Sequence, residues 1–389
     1  MAFSDSNRVG VRYVAETAWS STPAGPSMQE INLTSESLKS NINTVTSDTI
    51  RDDRNVSDIT QVGGGAGGDI GLELRYGEYD DLIEACLQGS WATTVVSAGG
   101  NFNGATISGN GLQAVVSGNI LRVTGATTGS NNGDYRVLAV TTTGASATIS
   151  VAVASTGVAA SFTSEVFGAG TRLQGKNLRN GVTSRSFTFE KEFADVSSFA
   201  RYPGMRITAM TVNMEAQSIL TGSFSMMGKT QSVASATLAS TTVDPSTNPV
   251  MNASDNVSNI WEGAEAVSDI CFSAISFTLN NNPREQQCVG QSSLSGIATG
   301  RAEVTGEFSA YFENNSVITK YTNGTKTNFR FQVDDSDGNS YVFDIPRVTL
   351  NDMTVAATGP NNDVLQEGTW GAAVNLSGTY AIQITALDA

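Results

Sequence analysis

Acidic and glycine-rich motifs come nearest to chemistry in this chain. DDSDGN (334–339) gathers aspartates around a glycine, as a calcium loop does. A calcium loop needs oxygen ligands at its first, third and fifth positions, glycine at the sixth and glutamate at the twelfth. Counted from Asp335, the sixth residue is Ser340. Asp and Gly are also what a tight turn between strands requires, and the turn is the better reading. The pairs Asp52/Asp53 and Asp80/Asp81 offer carboxylates. Adjacent residues do not face one another, so both pairs read as solvated acid. GGGAGG (63–68) suggests a phosphate loop. It lacks the Gly-Lys-Ser/Thr of such loops and precedes a strand, not a helix. A hinge or a close backbone approach accounts for it better. Serine and threonine abound, yet the chain has no histidine, the side chain most used as an activating base and zinc ligand. No catalytic, metal or cofactor-binding residue is assigned, and an enzyme is the least favoured class.

The elements around these motifs carry more information. In 67–89, Ile70, Leu72, Leu74 and Tyr76 alternate and predict a half-buried strand. The period then changes. Tyr79, Leu82, Ile83, Cys86 and Leu87 fall on one helix face. Asp80 and Asp81 sit in the first turn, where the helix dipole favours them. Gly89 is expected to close about three turns in a left-handed conformation. A similar strand and helix recur at 301–324. Aligned without gaps, Gly71 meets Gly306, Tyr76 meets Tyr311, Ile83 meets Ile318 and Gly89 meets Gly324. The apolar phase of the second strand fits better with a slip of one residue, which turns a strand over. Duplication with a bulge and coincidence both stay open.

Composition bounds the class. Charged residues are 15 % of 389, below the roughly 25 % of ordinary globular proteins. The net charge of −15 has the wrong sign for a nucleic-acid binder. Acid concentrates in 41–90, whereas 93–168 balances Asp134 and Glu165 against Arg122 and Arg136. Such a contrast predicts separate structural units. Three cysteines, Cys86, Cys271 and Cys288, cannot all pair within one chain, which favours a reducing compartment. No signal-peptide pattern opens the sequence and no window is apolar enough to span a membrane.

Taken in order, RVGVRYVAETAW (8–19) predicts a strand, and a short strand follows within 28–40. Residues 41–68 are polar, charged and end in glycines. Structureless loops of this length are uncommon unless functional or disordered. The favoured reading is an arm that docks on a neighbouring subunit through Ser47, Ile50, Arg51, Asp52, Asp53, Arg54, Val56 and Ile59. A mobile surface loop is the plain alternative. Residues 93–168 are rich in Gly, Ala, Ser, Thr and Val, with strand runs cut by turn clusters such as GSNNGD (129–134). They predict a small all-β unit inserted at a loop tip. Pro203-Gly204 is expected to be a turn between strands, and 230–258 a long connection.

The order RYVAETAW (12–19), SDTIRDDRN (47–55) and GGDIGLELRYGEYDDLIEACLQGSW (67–91) resembles the tail tube, or major tail, proteins of long non-contractile-tailed bacteriophages. Val123–Gly125 with NNGDYRV (131–137) is similar to a small β domain inserted in some of them. The resemblance is best over the first 92 residues. It implies a mainly β subunit: a β-sandwich or half-barrel with a flanking short α-helix. The tube domain would comprise 1–92 and 169–389 with arm 41–68, and 93–168 would be an inserted domain on the exterior. The helix residues Tyr79, Leu82, Ile83, Cys86 and Leu87 would pack on the barrel. Six such subunits would form a ring, and stacked rings a hollow tube in the virion, assembled in the host cytoplasm. Implied partners are the protein itself, the tape measure protein, the tail terminator, the distal tail protein and passing DNA, with no membrane and no cofactor. An acidic lining would repel phosphate and keep DNA moving. Alternatives are an Hcp-like or tailocin tube, a tail terminator, or a bacterial surface or adhesin β protein.

Overall fold

The structure is a computed structural model. It describes residues 3–96, 99–143, 146–154, 157–254, 257–262, 265–266, 271–357, 359–377 and 379–389. The described residues are mainly strand, with two α-helices. Alternating Val, Ile, Thr and aromatic residues favour this outcome.

One antiparallel sheet organises the body. Its strands are β1 (Val9–Ala15), β2 (Lys39–Thr46), β3 (Ile59–Glu73), β4 (Arg172–Arg179), β5 (Phe187–Phe193), β6 (Ser198–Glu215) and β7 (Thr221–Gly228). Then come β8 (Val257–Glu262), β9 (Phe272–Asn280), β10 (Glu303–Tyr311), β11 (Thr327–Asp334), β12 (Ser340–Ala356), β13 (Leu365–Ala372) and β14 (Gln383–Leu387). Eight of them follow one another in space as β2-β3-β7-β6-β9-β10-β13-β12. The long strands β6 and β12 leave this row at their N-terminal halves. There β6 pairs with β5, which pairs with β1. In the same way β12 pairs with β11, which pairs with β8.

The chain therefore traces one path twice. β1, β2, β3, helix α1 (Asp80–Leu87), β5, β6 and β7 are repeated in order and pairing by β8, β9, β10, helix α2 (Ser316–Thr322), β11, β12 and β13. Helix α1 contacts β6, and α2 contacts β12. The superposed register matches Ile70 with Gly306, Leu72 with Phe308 and Leu74 with Ala310, all on the apolar face. The gap-free alignment of Gly71 with Gly306 is out by one. A Cβ on Gly71 would meet Ser35 Oγ on the polar face, whereas one on Gly306 would strike the Trp370 ring at 2.3 Å in the core. Apolar phase, not residue identity, carries the repeat, and no bulge is needed.

Several expectations change. Residues 41–68 are not an irregular loop: β2 and β3 form a hairpin, and only 47–58 lie outside its strands. The glycine run is no hinge. It lies inside β3, with Gly63–Gly67 paired to β2 and Ala66–Gly68 to β7, where a Cβ on Gly64 would meet Asn41 O at 2.1 Å and one on Gly65 would meet Leu294 Cδ1 at 2.8 Å. Pro203-Gly204 is no turn. The strand β6 runs through it with a register shift on the β5 ladder between Tyr202 and Met205, and Gly204 takes φ +74°. Asp335 accepts from the backbone N–H of Asp337 and Asn339, 2.9 Å each, and so caps the β11–β12 turn.

Helix α1 spans 80–87, shorter than three turns. Tyr79, Leu82, Ile83, Cys86 and Leu87 are all buried. Burial pushes the Cys86 thiol well above its usual value. The left-handed cap residue is Gln88 (φ 52°), not Gly89. Gly89 is needed for space, since a Cβ there would lie 2.1 Å from Arg179 O. Nor is Asp80 simply solvated. It is half-buried, and Tyr341 Oη donates to its Oδ1 while accepting the Gly77 N–H at 2.9 Å. Burial raises the Asp80 carboxyl above its usual value, and the Tyr341 bond acts the other way.

A second apolar cluster fills the segment between α1 and β5: Phe102, Ile107, Leu121, Tyr135, Ile149 and Phe162, joined by Leu173 of β4. Strand β4 pairs with Ala92–Val96 and Ile120–Thr124, and also with β14 of the body. Arg122 ties the two parts. It bonds Asp134 at 2.7 and 2.9 Å and Ser340 Oγ at 2.7 Å.

Two tests follow from the helix. Gly89→Asn should lower stability by about 1–3 kcal/mol through overpacking, read as a lower urea midpoint. An unchanged midpoint would make position 89 an ordinary left-handed cap. Tyr341→Phe should cost about 1–3 kcal/mol by leaving buried partners unpaired. Because the lost bond lowers the Asp80 pKa, its contribution is full above the carboxylate range and fades as pH falls through it. Thermal melts should show the larger loss at neutral pH.

Candidate functional site: an acidic sheet face and an exposed hairpin

Alternation gives the eight-strand sheet two unlike faces. On one, Ile70, Phe224, Met210 and Leu279 form a continuous apolar row across β3, β7, β6 and β9. The helices and the second layer of strands cover this face. The other face carries Asp69 and Glu73 of β3, Ser223 and Ser225 of β7, and Thr211, Asn213 and Glu215 of β6. It continues through Ser276 and Thr278 of β9, Glu303 and Glu307 of β10, Glu367 and Thr369 of β13, and Asp352 and Thr354 of β12. Its middle is an open concavity of about 560 Å³ bounded by Glu215, Glu307, Asp352 and Glu367. No lysine or arginine occurs in 69–73, 209–215, 221–228, 272–280, 303–311, 349–356 or 365–372. Within these segments no basic residue offsets the carboxylates, so this stretch of the face is a field of one sign, flanked by Lys39 of β2 and Arg206 of β6 in the row of Gly67 and Met227.

Sequence reading located the acid of 41–90 but missed this face. Asp69, Glu215, Glu307 and Glu367 are far apart in the chain, and only strand pairing assembles them. The available signal was the odd-even segregation of charge in β10, where Glu303 and Glu307 alternate with Val304 and Phe308.

The hairpin β2–β3 extends from one end of this sheet. Ile42, Val45, Ile50, Val56, Ile59 and Val62 are exposed, with Ile50 at 97 %. Its tip is ordered by its own polar bonds. Arg51 grips Asp53 through two contacts of 2.9 and 2.6 Å, which hold that carboxyl below its usual range. Arg54 adopts φ 59°, and the Asn55 N–H reaches Asp53 Oδ1. Ser47 N–H donates to Asp58 O at 2.8 Å, closing the base. Asp52 is exposed beside them. The structure thus brings Ser47, Arg51, Asp53 and Arg54 into one turn system, while Ile50, Val56 and Ile59 present bare apolar surface. The helix residues Tyr79, Leu82, Ile83, Cys86 and Leu87 lie in the core, apart from the hairpin tip. Among the described residues no group of three or more His, Cys, Asp or Glu side chains has metal-holding geometry. No described helix is long and apolar enough to cross a membrane.

Comparison with known proteins agrees with this architecture. A search of curated proteins gave no match. A family model described as phage tail tube protein matches residues 6–372, nearly the whole chain. The mainly β chain, with its open sheet, belongs to the phage tail tube protein family, a family of structural components of the virion tail.

Proposed function

We propose that this protein builds the tail tube by head-to-tail self-association into closed rings, with the acidic face lining the bore. The observation that carries this reading is a sheet with one face uncovered and acidic over its middle, bounded at both ends by strands paired on one side only. The edge of β2 away from β3 and the edge of 350–356 away from β13 have no partner strand among the described residues. Open edges demand partners, and a head-to-tail contact that rotates closes into a ring. Carboxylates along the bore repel the phosphates of ejected DNA and give it no place to bind.

In this arrangement the hairpin tip, 47–58, docks on a neighbouring copy and buries Ile50, Val56 and Ile59. The segment 93–168 forms an inserted module on the outside of the tube, with 1–92 and 169–389 as the wall. Rings stack in the host cytoplasm and meet the tape measure protein within and the terminator and distal tail proteins at the ends. Helix α1 braces the wall from outside through Tyr79, Leu82, Ile83, Cys86 and Leu87.

Replacing 47–58 by Asn-Gly, a tight-turn pair, should leave the melting transition near native and abolish tubes in negative-stain images. Tubes of normal length would remove the hairpin from assembly. Glu307→Lys combined with Glu367→Lys should leave tubes intact but slow genome release from phage carrying them. An unchanged ejection rate would place this face elsewhere than the bore.

A further inference from the structure

The resemblance implies a ring of six subunits, and the internal repeat changes what a subunit is. We infer that three chains, not six, close the ring, each supplying two wall units. The inference rests on the tube reading above and fixes its stoichiometry.

The first support is the junction between the repeats. Inside the chain, β6 of the first unit pairs with β9 of the second over 209–215 and 274–280. These strands have counterparts at the open ends. The counterpart of β6 is β12, whose last turns of strand, 350–356, are an exposed edge. The counterpart of β9 is the segment 34–46, paired with β3 on one side only. The internal junction is therefore a template: 350–356 of one copy pairs with 34–40 of the next as β6 pairs with β9. Met210 beside Leu279 within the chain corresponds to Leu350 beside Leu38 between chains. Every junction around the ring, covalent or not, then has one geometry.

The lateral packing follows the same rule. The connection between β9 and β10, the second unit's counterpart of the exposed hairpin, already lies on the first unit. Leu294 from it packs against Gly65, and Arg206 of β6 donates to Ile297 O. The exposed hairpin has no second unit of its own chain to lie on, and the next copy provides one.

Strand counting selects the number. Each chain gives eight strands to the row. With strands about 4.8 Å apart and tilted about 40°, three chains close a barrel of roughly 24 Å backbone radius. Side chains reaching about 5 Å inward leave a bore of roughly 38 Å, fitting one hydrated duplex. Six chains would give about 48 Å radius and a bore of roughly 86 Å by the same spacing, wide enough for several duplexes side by side. An acidic face that guides a single duplex by repulsion requires the narrower bore.

The test is cryo-electron microscopy of tubes from the full-length protein, with native mass spectrometry of rings released from them. The expected result is three-fold symmetry, an inner wall that approximates six-fold repetition, and rings of three chains of 40.6 kDa. With the exposed Cys271 and Cys288 replaced by serine, a Leu38→Cys, Leu350→Cys double variant should form chain-to-chain disulfides under oxidation, while each single variant should not. Tubes with six chains per ring would overturn this inference and leave the tube function standing. An absence of rings and tubes, even in intact particles, would overturn both.

Discussion

Unpaired backbone at the ends of a sheet is the constraint on which this structure turns. An eight-strand sheet can cover its apolar face with helices and further strands, as this one does with α1, α2 and the β1–β5 and β8–β11 pairs. It cannot satisfy its own terminal edges without closing on itself. Monomeric proteins blunt such edges with charge, proline or bulges. Here the edges 350–356, LNDMTVA, and 39–46, KSNINTVT, contain no proline, and their bulges and the charges of Lys39 and Asp352 still leave each backbone without a second partner strand among the described residues.

The packing that holds these edges in place depends on where large side chains meet missing ones. Trp370, fully buried, lies over Gly306, and Met205 lies over Gly228 with its sulfur 2.1 Å from where a Cβ would be. The two units solve one problem differently. In the first, Ile70 and Phe224 share the row; in the second, Gly306 gives its volume to Trp370. A sequence comparison by identity finds little across such an exchange, since the apolar row is kept while each position changes.

Much of the fold was legible because alternation survives even where identity does not. The strand through Ile70 and Leu72, which ends at Glu73 short of Tyr76, the helix face Tyr79, Leu82, Ile83, Cys86 and Leu87, and the hairpin across DSDGN followed from period and turn chemistry alone. The slip of one residue in apolar phase was itself the correct register of the repeat. Three features were legible only in part or not at all, each for a tertiary reason. The glycines of 63–68 admit a hinge or a close backbone approach, and it is the approach that holds: they are strand residues thinned to let β2, β7 and Leu294 come near. Pro203-Gly204 looks like a turn because the bulge it makes is stabilised by partners far along the chain, such as Lys229 N–H on Pro203 O. The acidic face is spread over distant strands, and its local trace, the alternation of Glu303 and Glu307 with Val304 and Phe308, does not say which strands adjoin.

Only the first unit carries an insertion. Between α1 and β5 the chain adds a whole β module with its own apolar cluster, while between α2 and β11 it passes directly. In a ring of identical separate units, such an addition would appear at every position or none. Joining two units in one polypeptide removes that restriction. In the proposed ring, sites facing the bore would remain equivalent while sites facing outward alternate, without a second gene or a second subunit to balance. The covalent link would then fix a one-to-one ratio of bare and decorated positions, and leave each half free to change on its outer side while its edges stay interchangeable.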